Sequence, residues 1–95
     1  MKLLSSFEMT ITRADFLRLL PAAVHHAPFV VAGENIVHRE GNRCWQMRLT
    51  PLPELKLGAI RLERQRLELA FENYPETEIA AFIERFELYF RRGGG

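Results

Sequence analysis

The sequence contains one cysteine, Cys44, and three histidines, so it has few residues that commonly bind metals. A single thiol cannot form an internal disulfide, and nothing indicates a secreted fold held together by disulfides. His25 and His26 are adjacent, whereas zinc ligands usually occur as pairs with a few residues between them. A metal site built from His25, His26, His38 and Cys44 is therefore not expected, and we expect Cys44 to be a structural thiol.

Motifs for catalysis and for binding cofactors are also missing. The sequence shows no pair of acids, no nucleophile with an adjacent base and no glycine-rich phosphate loop. Most of its acids are glutamates at positions that strands and helices expose, and Asp15 is better explained as a helix-capping residue. We therefore expect a protein that is not an enzyme and needs no cofactor.

Long hydrophobic runs are absent as well. The apolar start of the chain is interrupted at Glu8, and no later stretch approaches the roughly 18 apolar residues that span a membrane. The net charge of +1 gives no overall attraction to nucleic acid or to a membrane surface. These features predict a cytoplasmic protein with no membrane partner.

The length of 95 residues and the hydrophobic fraction of 47% predict one folded domain with one core. We place that domain at residues 1–92 and expect residues 93–95, all glycine, to form a flexible tail. Glycine after a helix usually ends the helix. The last residues also resemble the Gly-Gly end of ubiquitin-like sulfur carriers, and that resemblance implies a carrier function as one alternative.

The first half of the chain predicts a strand, a helix and a hairpin. Residues 7–11 alternate in polarity, and Thr12 with Asp15 three residues later is typical of a helix start. Pro21 predicts that this helix ends or kinks at Leu20. Residues 29–31 fit a short strand or a buried loop equally well. Gly41-Asn42 predicts a two-residue turn joining strands at 36–40 and 43–50.

The second half predicts two more strands and a long helix. We expect a stiff connection at residues 50–53, a strand at 55–62 with a bulge at Gly58, a turn at 63–65 and a strand at 67–72. Residues 75–90 then carry apolar residues at helical spacing. The predicted core comprises Phe7, Met9, Ile11, Phe16, Leu20, Ile36, Trp45, Met47, Leu49, Ile60, Leu62, Leu67, Leu69, Phe71, Ile79, Ile83, Phe86 and Phe90.

Together these elements predict an α+β fold in the order β-α-β-β-β-β-α. We expect a four- to five-stranded antiparallel meander with both helices packed on one face. This layout resembles the half-repeat of the TATA-binding protein and several other small α+β folds. The resemblance concerns the arrangement of elements and no shared motif, so no family is identified and no function follows.

Two surfaces are candidates for binding. The predicted register places Arg39, Arg48, Arg61 and Arg66 on the sheet face away from the helices, where they could bind a polyanion. Glutamates at 63, 68 and 72 are predicted on the same face, and no aromatic residue lies among the arginines to stack bases, so nucleic acid is not the expected partner. Surplus apolar residues, with Tyr74, Leu88 and Tyr89 as the candidate surface, favour a small accessory domain that binds another protein or itself.

Overall fold

A computed structural model describes the backbone of residues 2–94 and the side chains of residues 5–90. It contains five strands and two helices in the predicted order, and the α+β prediction is confirmed. The elements are β1 (Lys2–Thr10), α1 (Arg13–Ala23), β2 (Val30–Ala32), β3 (Asn35–Glu40), β4 (Arg43–Leu57), β5 (Ile60–Glu72) and α2 (Glu76–Gly94). Helix α2 thus extends into the predicted glycine tail, and Gly95 lies outside the described residues.

The five strands form one antiparallel sheet in the order β1-β5-β4-β3-β2. Strands β2 to β5 are a meander, and β1 pairs with the last of them. Of residues 29–31, which fitted two interpretations, Val30 and Val31 belong to the short edge strand β2, and Phe29 precedes it. Because β1 and β2 lie at opposite edges, the connection through α1 must cross the sheet. We call the face that packs against α1 and α2 the helix face, and the other the open face.

The β3–β4 hairpin has the predicted register. Glu40 pairs with Arg43, and His38 pairs with Trp45. Gly41 opens the turn with a φ of +61°, a conformation that costs glycine little because it has no Cβ. Alternation along both strands then places Ile36, His38, Trp45, Met47 and Leu49 on the helix face, where all are buried.

The β4–β5 hairpin differs from the prediction. Residues 50–53 lie within β4, the turn is Gly58-Ala59, and residues 63–65 lie within β5. Pro51 and Pro53 are tolerated because β3 ends its pairing at Arg48, so β4 has a neighbour on one side only beyond that point. The bulge occurs between Leu52 and Leu55, not at Gly58, whose φ of +62° serves the turn.

Helix α1 begins as predicted and ends later. The Thr12 side-chain oxygen accepts a hydrogen bond of 3.0 Å from the Asp15 amide. The helix continues through Pro21 to Ala23, so it ends about one turn later than Leu20, the first of the two predicted alternatives. A proline so close to the C-terminus removes one helical hydrogen bond while leaving most of the helix intact. Ala23 and Val24 are consequently buried, which the sequence patterns did not indicate.

The core lies between the helix face and the two helices. Phe16 of α1 stacks on Phe90 of α2 with ring centroids 4.7 Å apart, and Phe86 lies 4.5 Å from Phe90. Leu67 and Leu69 of β5 are fully buried beneath them. Two predicted core residues are wrong: Ile60 is 60% exposed, and Leu62 has the register of the open face. Both lie in the part of β5 beyond its last pair with β1, Thr10–Arg64.

Candidate interaction surface

Beyond the ends of the neighbouring strands, β4 and β5 continue as a two-stranded ribbon. The last pair between β3 and β4 is Asn35–Arg48, and the last pair between β1 and β5 is Thr10–Arg64. Among residues 2–94, no further strand therefore pairs with residues 55–62, which we call the arm. The overall extents of 48 × 25 × 22 Å are consistent with this projecting shape. An isolated two-stranded ribbon is only marginally stable in water, so the arm depends on other contacts.

Four aliphatic residues occupy the open face of the arm. Leu55 pairs with Leu62, and Leu57 pairs with Ile60. Directly paired residues point to the same side of an antiparallel ribbon, so all four form one cluster. The exposed fractions are 41% for Leu55, 55% for Leu57 and 60% for Ile60, and Leu62 is half-buried. We call this cluster the apolar patch.

On the helix face, the residue that follows the arm, Glu63, is bound to α1. Glu63 has the register of the helix face, and its carboxylate accepts a hydrogen bond of 3.0 Å from the backbone amide of Arg13. The same oxygen accepts a bond of 2.8 Å from the side chain of Gln65, which is buried. The first turn of a helix leaves amides without partners, so Glu63 acts as a cap supplied by β5. This contact joins the strand next to the arm to α1, on the face opposite the apolar patch.

The structure separates the four arginines of the predicted polyanion surface. Arg39, Arg48 and Arg66 lie on the open face, as predicted. Arg61 is an even number of residues from buried Leu67, so both lie on the helix face, and Arg61 borders a cleft beside α1. Its predicted position on the open face is therefore wrong. Glu63 shares this register and was misplaced in the same way. The prediction failed because it put a turn at 63–65. It therefore assigned the residues before Gln65 to the opposite face of the sheet.

Two of the three remaining arginines already have carboxylate partners. Arg66 lies 3.2 Å from Glu8, whose carboxylate also lies 3.1 Å from Arg64, and Arg48 lies 3.5 Å from Glu34. The hydrogen bond from Arg66, with the charges of both arginines, lowers the pKa of Glu8. Glu68 and Glu72 add negative charge to the same face. Among the described residues, Arg39 has no ion pair or side-chain hydrogen bond, so this face presents a single unpaired arginine.

The residues predicted as an interaction surface, Tyr74, Leu88 and Tyr89, are only partly exposed to solvent. Tyr74 packs edge-on against Phe71 at 5.8 Å between ring centroids, and Arg43 lies over its ring at 5.4 Å. Burial, followed by the nearby charge of Glu40, raises the pKa of Tyr74. Tyr89 contacts Arg85 in a similar way. Leu88, 53% exposed, is the member of the three that remains open to solvent.

Arg85 explains why Tyr89 is held in place. The Arg85 guanidinium donates hydrogen bonds of 2.8 and 3.2 Å to the carbonyl of Ala22 at the end of α1, and another of 3.2 Å to the Tyr89 hydroxyl. Helix α1 has no basic residue of its own in its last turn. A cation from α2 therefore complements the negative end of α1. This contact makes Tyr89 part of the helix–helix interface.

The histidines and Cys44 do not converge. His38 is buried, stacks on Trp45 at 5.4 Å, and donates a hydrogen bond of 2.6 Å to the carbonyl of Pro28. Cys44 is buried on the open face, whereas His25 and His26 lie exposed in the loop after α1. Within the described part of the chain, no three His, Cys, Asp or Glu residues are grouped so as to hold a metal ion.

Comparison with known proteins adds no functional information. No family model, no curated protein and no solved structure matches this chain. In residues 2–94, neither helix has the length and apolar character needed to cross a membrane.

The sequence analysis did not predict the apolar patch, although a signal for it was present. Gly58-Ala59 has the same glycine-first form as the turns at Gly33 and Gly41, and a hairpin there brings the four aliphatic residues together.

Proposed function

We propose that this chain is a protein-interaction domain that associates with a second copy of itself through the apolar patch. The observation that carries the proposal is the exposure of Leu55, Leu57 and Ile60 on one face of a projecting ribbon. Single exposed aliphatic residues are common on protein surfaces, whereas contiguous patches often mark interfaces. A two-stranded ribbon gains little stability of its own, so burial of these side chains against a partner would also stabilise the arm.

A second copy suits the patch because the patch can pair with itself. A twofold axis through its centre would place Leu55 and Leu57 against Ile60 and Leu62 of the other copy, which gives an isologous contact. On the same face, Arg64 lies two residues beyond Leu62, and Glu8 of the same chain already binds it at 3.1 Å. Arg64 would therefore not bring an unpaired like charge into the contact between two copies.

The size of the patch predicts a weak dimer. Four partly exposed aliphatic side chains offer on the order of 300–400 Å² per copy, comparable to the largest patch on a typical monomer. A stable interface usually buries about 800 Å² per partner. Contacts beyond the four side chains are therefore needed for tight binding, and we expect association that depends clearly on protein concentration.

The test is molecular mass in solution by light scattering, from about 10 μM to about 1 mM protein. We expect the mass to rise towards the dimer with concentration for the wild type and to stay at the monomer for Leu57→Lys. Leu88→Lys is the matched control, because Leu88 has nearly the same exposure, 53% against 55%, and lies outside the patch. A wild-type monomer throughout, or loss of the dimer in Leu88→Lys alone, would contradict the proposal.

A further inference from the structure

A second surface lies at the other end of the sheet, remote in sequence from the arm. A groove of about 410 Å³ is lined by Pro28, Phe29, Val30, Val37 and Arg39. It opens where the pairing of β2 with β3 stops, since the last pair is Val30–Val37. Its volume falls within the range of pockets that hold small molecules.

Contacts with Trp45 and His38, both on the helix face, hold the apolar wall of this groove in position. Phe29 packs against Trp45 with ring centroids 6.2 Å apart. The carbonyl of Pro28 accepts the hydrogen bond from buried His38, which itself stacks on Trp45. Val30, at 69% exposure, then projects from the end of this anchored segment. A site whose walls are already ordered loses little conformational entropy when a ligand binds.

The polar end of the groove is Arg39. Its side chain is exposed, and among the residues whose side chains are described it has no carboxylate partner. The nearest acid in its cross-strand row is Glu72, separated from it by Cys44 and thus two strands away, about 10 Å at the usual strand spacing. By contrast, Arg48 and Arg66 on the same face are both paired. Arg39 is therefore available for an external anion.

We propose that this groove binds a small carboxylate with an aliphatic body. The planar guanidinium of Arg39 would hold the carboxylate through two parallel hydrogen bonds, while the aliphatic body lies along Val30 and Val37. A single cation suits one carboxylate better than a polyanion. A bound peptide strand is disfavoured because β2 offers only three residues of edge. This site is independent of the apolar patch and of self-association.

The test is a titration of the protein with octanoate, followed by the backbone amide signals in NMR spectra. We expect the largest shifts at residues 28–30, 37 and 39. Acetate lacks the aliphatic body and 1-octanol lacks the charge, so each should bind about tenfold more weakly or not at all. Equal binding of octanol, or shifts centred on residues 55–62, would overturn the proposal.

Two variants separate the role of Arg39 from a general effect of positive charge. Arg39→Gln should weaken octanoate binding about tenfold, the loss typical of a charged hydrogen bond, and Arg39→Lys should restore part of it. Arg48→Gln is the matched control, because it removes an arginine from the same face that Glu34 already pairs. Unchanged binding in Arg39→Gln, or an equal loss in Arg48→Gln, would refute the assignment.

Discussion

Strands β4 and β5 are buried at one end and exposed at the other, although both ends are rich in leucine. Leu49 and Leu69 lie under the helices with no exposed surface, whereas Leu57 is 55% exposed on the arm. The residue type is the same, so burial here depends on which neighbours reach that part of the sheet. The two ends also face opposite ways, since the buried leucines lie on the helix face and the arm leucines on the open face. One pair of strands thus provides both the core and the candidate interface.

The largest expected effect contrasts the two ends directly. Leu69→Ala removes a fully buried side chain and leaves a cavity, so it should lower the free energy of unfolding by about 3 kcal/mol. Leu57→Ala removes a side chain that is more than half exposed and should cost less than about 1 kcal/mol in the monomer. Urea unfolding of both variants at low protein concentration measures the difference. Similar losses would show that the arm is buried in solution.

The attachment of the arm base to α1 should give the next largest effect. Glu63→Ala removes the acceptor for the Arg13 amide and for the buried Gln65 side chain. The expected loss in the free energy of unfolding is about 1–2 kcal/mol, the range found for helix caps and unsatisfied buried groups. Glu54→Ala, an exposed acid of the same hairpin, is the control and should change stability little. A loss of the same size in both variants would argue against a specific cap.

Alanine substitutions of the two turn glycines test how much each hairpin contributes to the free energy of unfolding. Gly41 and Gly58 have φ values of +61° and +62°, and a Cβ added to either would contact nothing within 4 Å. Alanine should therefore cost only the strain of the left-handed conformation, about 1 kcal/mol, at Gly41. At Gly58 we expect about half that cost, because the arm can open locally without unfolding the core. Equal costs in urea unfolding would mean that the arm folds with the core as one unit.

The contrast between these hairpins also explains how far the sequence could predict the fold. Alternation on both sides of Gly41 was strong enough to predict the register of β3 and β4, and the paired faces followed from it. Around Gly58, the prolines at 51 and 53 were interpreted as the end of a strand, which hid the longer hairpin. Proline is excluded from a strand only where that strand is hydrogen-bonded to a neighbour on each side. The point at which β3 stops pairing with β4 depends on the tertiary structure, so the local sequence does not reveal it.

The candidate sites were less predictable than the fold for the same reason. The sequence indicated surplus apolar residues, but the candidate surface that it gave was Tyr74, Leu88 and Tyr89. Arg43 covers part of Tyr74 from a distant position in the sequence, and Arg85, which also binds the end of α1, covers part of Tyr89. Which arginine lacks a partner was equally hidden, because the pairing of Arg66 with Glu8 depends on β1 lying beside β5. Such pairings require the strand order, which local patterns do not contain.

The smallest expected effect concerns the carboxylate of Glu8, which pairs with two arginines on the open face. The pKa of Glu8 is lowered in the folded chain, so its contacts with Arg66 and Arg64 stabilise the fold at neutral pH. That contribution is lost as the pH falls through the lowered pKa. Glu8→Gln should therefore be slightly less stable than the wild type near pH 7, and the difference should shrink towards about pH 3. Urea unfolding of both proteins at the two pH values measures the change.

A suitable control is Glu72→Gln, which removes a carboxylate from the same face at a position with no ion pair among the described residues. It shows the general effect of deleting one negative charge from this sheet. If Glu8→Gln and Glu72→Gln respond alike to pH, the arginine pairs at Glu8 contribute nothing specific. Arg64 and Arg66 would then have to be counted with Arg39 as cations available to an external ligand. The open face would become a broader anion surface than the single groove that we propose.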